Sequence, residues 1–311
     1  MKKNILLFIG IFTVISMQAQ YNLDNLQPKY RELRSSNDNI IKIYPIKANK
    51  VFTDVHKNIS KFENLENAIK ENKIRITEVS SSGTVNTLYA ENISKDTLFL
   101  MAGEIVKGGK QDRIIGSDVI ILPNEKKNIS AYCVERGRWS TKSSGNQFDG
   151  YSNGVSQNVR KAAIVNKNQS EVWSNVSQVN SKNKVSSSTG AYTALEKSKD
   201  YNDKLKKYLN VFKSAWNNDP TVVGMIAVSG DKVIGCDIFA THDIFVNAYN
   251  NLLHSYITEA ISNGAPITIT SNEINKYLED FLKDESNQEN SLNNKGELFK
   301  YNSSKLHLSV F

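Results

Sequence analysis

Two cysteines in 311 residues, Cys133 and Cys236, exclude a disulfide framework as the support of this fold. Each stands in an apolar, strand-like run that suits either one bridge or two packed thiols. The four histidines, His56, His242, His254 and His307, show no HxH or HExxH spacing, so no metal site and no cofactor is expected. No GxSxG elbow occurs and neither cysteine has a histidine close by in sequence, which leaves Ser or Cys nucleophilic catalysis without support. No basic run interleaves with aromatics, so no nucleic acid partner is expected. There is no internal repeat.

What is present is ordinary globular composition, 39% hydrophobic and 23% charged, enough for one large domain or two modest ones. The chain opens MKKNILLFIGIFTVISMQAQ: a basic pair at Lys2 and Lys3, an apolar run from Ile5 to Ile15, and small Ala19. That pattern predicts a signal peptide over residues 1–19, and with it a periplasmic or extracellular location. The apolar run is too short for an easy span, so no stable membrane span is expected after cleavage. Removing Lys2 and Lys3 lowers the formal charge from +7 to +5. This mild excess suits anionic polysaccharide or lipid head groups as well as any other partner.

Residues 20–139 read as mainly β. Strands are expected over Ile40–Ile46 and then, joined by short turns without helices between them, over Ile74–Val79, Thr84–Ala90, Thr97–Met101, Glu104–Val106, Val119–Leu122 and Ile129–Val134. Such a series predicts an antiparallel sheet folding over as a sandwich or open barrel. Ser60 with Glu63 predicts a capped short helix ending near Asn72, with Phe62, Leu65, Ala68 and Ile69 on one face. Residues 140–158 carry Gly, Ser and Asn and read as a long loop, as does Asn180 to Thr189.

Residues 140–311 read as an α+β region packed with the first as one domain. Val172, Trp173, Val176 and Val179 share a helix face, and Tyr201, Leu205, Tyr208, Leu209, Phe212 and Trp216 mark a second helix whose aromatic stripe is core. Val222–Val228 and Lys232–Phe239 flank Ser229-Gly230-Asp231 as a hairpin. Asp243 opens a long helix ending at Gly264, with an N-cap role expected for Asp237 or Asp243. Thr270 and Glu273 make a capping box, and Lys305–Phe311 alternates as a final strand. The expected fold class is α+β: an antiparallel β-sandwich-like N-terminal half, then helices packed on a hairpin-containing sheet.

The concentrated polar chemistry lies between Leu98 and Trp139. Gly103–Lys110 invites a phosphate-loop reading, but five residues separate Gly103 from Gly109-Lys110 where that loop needs four, and no Ser or Thr follows. Gly108-Gly109 is then a hairpin turn and Gln111-Asp112-Arg113 a polar strand edge. Lys110, Gln111 and Arg113 offer donors to an anion, while Glu104 and Glu135 are candidate acid and base. If their strands are neighbours, the two carboxylates face one cleft, as in a sugar-handling site with Arg138 as donor and Trp139 as stacking wall. The same residues also suit a salt-bridge network.

In order, ENISKDTLFL, GEIVKGGKQDR, CVERGRW, SEVW, STGAYTALE, GMIAVSGDKVIGCDIF, LLHSYITEA and LHLSVF resemble the ARG and rhodanese-phosphatase-superfamily-associated protein domain family, from about residue 60 onward. The family's name records genomic neighbours, including ADP-ribosylglycohydrolases. The resemblance marks Gly109, Lys110, Gln111 and Arg113, then Cys133, Glu135, Gly137, Arg138 and Trp139, and gives Asp112 and Arg136 weaker roles. Two functions follow as expectations. One is an exported hydrolase of a small anionic or sugar-containing molecule, with Glu104 and Glu135 catalytic and Lys110, Gln111, Arg113, Arg138 and Trp139 binding substrate. The alternative is a non-catalytic binding or envelope-interaction domain whose polar cluster is structural.

Overall fold

The computed structural model describes residues 21–141 and 145–311; the expected leader over residues 1–19 lies outside them. The chain enters through β1 (Leu26–Pro28), β2 (Arg34–Ser35) and β3 (Lys42–Ala48), then helix α1 (Lys50–His56). A short β4 (Glu63–Asn64) leads into α2 (Leu65–Lys70). Eight strands follow: β5 (Ile74–Glu78), β6 (Thr87–Asn92), β7 (Leu98–Leu100), β8 (Ile105–Gly108), β9 (Arg113–Ile115), β10 (Val119–Ile121), β11 (Lys126–Cys133) and β12 (Gln147–Ser152). Helices α3 (Gln157–Ile164), α4 (Gln169–Lys182) and α5 (Lys199–Phe212) precede the hairpin β13 (Val222–Ser229) and β14 (Lys232–Phe239). The chain ends with α6 (His242–Asn263), α7 (Ser271–Leu282), α8 (Gln288–Ser291) and the hairpin β15 (Gly296–Tyr301) and β16 (Ser304–Val310).

The fold is α+β with antiparallel sheets, as the alternating strands and short turns imply. In the N-terminal half the sheet closes on itself: β11-β6-β5-β12-β8-β9 form a six-stranded barrel, so Arg113 sits within a closed ladder and not at an edge. Ile76, Leu88, Ala90, Val106, Ile115, Ile129, Ala131 and Phe148 fill it together with Leu65 and Ala68 of α2. The second sheet runs β1-β3-β13-β14-β16-β15. On one of its faces Ile43, Met225 and Ala227 meet α5 and α6; on the other Ile226, Val228 and Ile238 meet Phe52, Ile274, Leu278 and Phe281. Helices on both faces explain why β13 reads as an unbroken apolar run.

The two sequence regions interleave. β3 from the first lies beside β13 with Ile226 opposite Tyr44, and β12 from the second pairs with both β5 and β8 to close the barrel. The loop expected over 140–158 therefore contains a strand. Its glycine has a packing reason: Gly150 falls where the register shifts, and a Cβ there would meet Lys107 Cβ at 3.0 Å.

Other expectations need correction. Ser60 and Glu63 cap no helix, because Glu63 is a strand residue opposite Leu98 and Asn64 caps α2 by accepting from the Asn67 amide at 2.8 Å. Thr241 caps α6, not Asp237 or Asp243; Asp237 is buried on β14. The Thr270–Glu273 capping box forms as read. Cys133 and Cys236 are free and buried in different sheets.

Candidate functional site

The β8–β9 hairpin turns through Gly108 and Gly109, with φ of +136° and +44°. A Cβ at Gly108 would lie 2.6 Å from the Gln147 carbonyl, and one at Gly109 2.4 Å from the Phe148 ring. Both glycines are needed for backbone conformation and for close approach to β12.

Beyond this turn, Glu135 and Arg138 fold back over the connection between β8 and β9. Glu135 Oε2 accepts from the Asp112 amide at 3.1 Å and from Arg138 Nε and Nη2 at 2.8 and 2.6 Å. Its Oε1 accepts from the Thr189 hydroxyl at 2.8 Å. Arg138 also donates to the carbonyls of Gly109, Ser140 and Gly108 and to Asp112 Oδ1 at 3.2 Å. Asp112 Oδ1 accepts from the Gly108 amide as well, and Oδ2 from Thr193 at 2.9 Å. Burial opposes ionisation of Glu135, yet the Arg138 and Thr189 donors and the Asp112 amide outweigh it and hold its carboxyl below the usual range.

A second group of the same residues packs under Trp139. Arg113 is fully buried; its Nη1 donates to Gln111 Oε1 at 3.0 Å and Cys133 Sγ at 2.8 Å, and its Nη2 lies 3.5 Å from Glu78. Its guanidinium stacks 5.4 Å from the Trp139 ring centre, with Lys110 Nζ at 5.9 Å. Gln111 reaches the Arg136 carbonyl, and Arg136 itself lies over Trp173. Burial pushes the Cys133 thiol up to about 11, with Arg113 only partly offsetting it, so this thiol stays protonated. Of the expected binding residues, Trp139 is 45% exposed whereas Gln111 and Arg113 are buried, as is Glu135, expected to be catalytic.

Glu104 stands apart. Across the barrel wall Arg113 is opposite Cys133, while the Glu104 carbonyl accepts from the Ile115 amide, so Glu104 and Glu135 sit at opposite ends of β9. Three residue steps, from the Asp112 amide that meets Glu135 to the Ile115 amide that meets Glu104, separate the two contacts, roughly 10 Å before the spacing between strands is added. The expected pair facing one cleft does not form. Glu104 is 4% exposed, accepts from the Met101 amide and the Tyr151 hydroxyl at 2.8 and 3.0 Å, and burial pushes its carboxyl up to about 7.

Tyr151 connects Glu104 to an open cleft of about 630 Å³ between the barrel, α2, α5 and α6. Lys107, Asp149, Tyr151, Glu196, Glu66 and His254 line it. Lys107 pairs with Glu196 at 3.1 Å. Burial pushes His254 down to about 4, so it is neutral, and its imidazole makes no side-chain hydrogen bond among the described residues. The sequence singles out neither His254 nor Tyr151 for such a cleft.

A further charged cluster joins the barrel half to the second sheet. Arg160 of α3 pairs with both oxygens of Asp237 at 2.9 and 2.7 Å and donates to the Ala102 carbonyl. His307 bridges Asp237 and Asp118 at 2.9 and 2.5 Å, and Asp118 accepts from the Ala102 amide. Desolvation works against a charged His307, but the two carboxylates raise it to about 9. Among the described residues no helix is long and apolar enough to cross a membrane.

A closed barrel locked by a buried arginine–carboxylate clasp to a helix-covered sheet defines the class of protein. The chain belongs to the ARG and Rhodanese-Phosphatase-superfamily-associated Protein domain family, whose profile matches residues 33–310. No curated protein and no solved structure matches it.

Proposed function

We propose that the chain is an exported, non-catalytic binding domain in which GGKQDR and CVERGRW act as a structural clasp. One observation carries this reading: Glu135 is buried and paired with the largely covered Arg138, whose side chain is 10% exposed, with the Glu135 oxygens and the Arg138 donors engaged by protein partners. A general base needs an acceptor within reach of substrate. Export rests on the signal-peptide pattern of residues 1–19, and the N-terminal sequence of the mature protein, recovered from the periplasm or medium, tests it. The ligand is a small anionic or sugar-containing molecule, and the cleft beside Tyr151 is the surface offered to it.

Two measurements test the binding reading. Arg138→Ala should lower the melting temperature sharply while Lys107→Ala, at the cleft, should leave it nearly unchanged. A panel of glycosides, phosphoesters and nucleotide sugars should show no turnover; turnover by the wild type that Glu135→Gln abolishes would restore the hydrolase assignment.

A further inference from the structure

A second cavity, of about 610 Å³, lies along the groove between α5 and α6. Leu205, Leu209, Val246 and Leu253 give it an apolar strip, flanked by Lys206, Lys213 and asparagine side chains. It shares Asn202 and Leu205 with the cleft already described, and Asn153 on the cleft side is hydrogen-bonded at 3.0 Å to Asn250 on the groove side. The two cavities are thus halves of one depression. Along α5 it runs from Tyr201 to Lys213, about 18 Å at the helical rise.

The halves differ in chemistry. The cleft carries three carboxylates, Glu66, Asp149 and Glu196, against two ammonium groups, Lys70 and Lys107. Lys70 pairs with Glu66 at 2.7 Å and Lys107 with Glu196, so the headgroup half holds no surplus of positive charge for an anion; Lys206 and Lys213 lie along the other half. It does hold hydrogen-bonding groups, including the His254 imidazole, and the Tyr151 ring, whose hydroxyl is turned away to Glu104. Such a surface suits hydroxyl groups and the C–H face of a sugar ring. The apolar half suits a hydrocarbon chain.

We propose that this depression binds a single-chain amphiphile with an uncharged, hydroxyl-rich headgroup, of the alkyl glycoside type, headgroup beside Tyr151 and chain between α5 and α6. The proposal deepens the binding-domain reading and rests on it. Because chain burial removes methylenes from water, affinity should rise roughly twofold to fourfold for each added carbon.

Isothermal titration with methyl, butyl, hexyl and octyl glucoside, each below its micelle concentration, tests this. Affinity is expected to climb along the series, and Leu209→Gln with Val246→Gln should flatten it while methyl glucoside binding stays as in the wild type. Lys107→Ala should weaken every member by a similar factor. A flat series in the wild type overturns the amphiphile and leaves a sugar-binding domain standing. Octyl phosphate binding as tightly as octyl glucoside overturns the uncharged headgroup. Release of free glucose during titration overturns the non-catalytic reading and leaves the groove intact, and failure of every glucoside to bind overturns both.

Discussion

Replacing Arg138 by alanine removes the group on which Glu135 and Asp112 both depend. The lost contacts are the two-nitrogen pairing with Glu135, the bond to Asp112, and bonds to the carbonyls of Gly108, Gly109 and Ser140. Glu135 and Asp112 are buried, so their carboxylates would lose a cation without gaining water. Removing one partner of a buried ion pair costs about 3–5 kcal/mol, far more than the pair's net value, because the remaining charge is left uncompensated. In a chain of this size each kcal/mol moves the melting temperature by about 2 °C, giving a drop of roughly 6–10 °C. Arg138→Lys keeps the charge but presents a point where the site holds a planar fork, and should recover less than half of the loss. Thermal melts followed by circular dichroism, at neutral pH and moderate salt, are sufficient. An alanine shift below about 2 °C would refute the clasp, since it is what an exposed pair gives.

The remaining predictions follow from the same contacts. Glu135 has its folded pKa below its unfolded value, so its contribution is complete above about 4.3 and is lost as pH falls through the folded value; Glu135→Gln should flatten the acid limb of stability against pH. Glu104 and His307 have folded pKa values raised to about 7 and about 9, so each contributes stability that is full below its unfolded pKa and fades as pH rises through the folded one. Urea midpoints should therefore fall from about pH 4.3 to 7 and again from about pH 6.5 to 9, with Glu104→Gln removing the lower decline and His307→Gln the upper. Gly109→Ala places a Cβ 2.4 Å from the Phe148 ring at a positive φ and should cost roughly 2–4 kcal/mol, read from denaturant midpoints.

Much of the fold was legible because its cues are local. The strands, the Ser229-Gly230-Asp231 turn and the Thr270 capping box depend on neighbours a few residues away, and each is found. The aromatic stripe is core as read, but its helix ends at Phe212, short of Trp216, with Ser214 at a positive φ. What escaped depends on distant partners. β12 looks like a loop because only Phe148 of its six residues is fully buried, and its place is set by two open edges, of β5 and β8, more than thirty residues upstream. The site divides the same way. GGKQDR and CVERGRW are readable as one cluster and as a salt-bridge network, but which side chains pair is not, and Asp112, given a weaker role, joins Gly108, Thr193 and Arg138. The STGAYTALE segment held the missing signal, since its Thr189 and Thr193 supply the two hydroxyls that complete the clasp.

The interleaving has a consequence that composition does not suggest. Residues 140–311 carry the expected α+β character and 20–139 the β character, which invites cutting the chain near Ser140. The first piece would lack β12, leaving β5 and β8 as open edges beside an apolar barrel interior that Phe148 normally fills. The second would lack β3, which lies against β13, and Asp118, which holds His307 beside Asp237. Open edges recruit other chains, and a buried imidazole deprived of one carboxylate loses part of what keeps it charged. Expressed separately, the pieces should therefore aggregate or stay unfolded; expressed together, they should assemble into a soluble 1:1 complex. A soluble, cooperatively melting fragment of either piece alone would show that barrel and sheet are independent units and that the Arg160–Asp237–His307–Asp118 cluster joins finished structures instead of helping to form them.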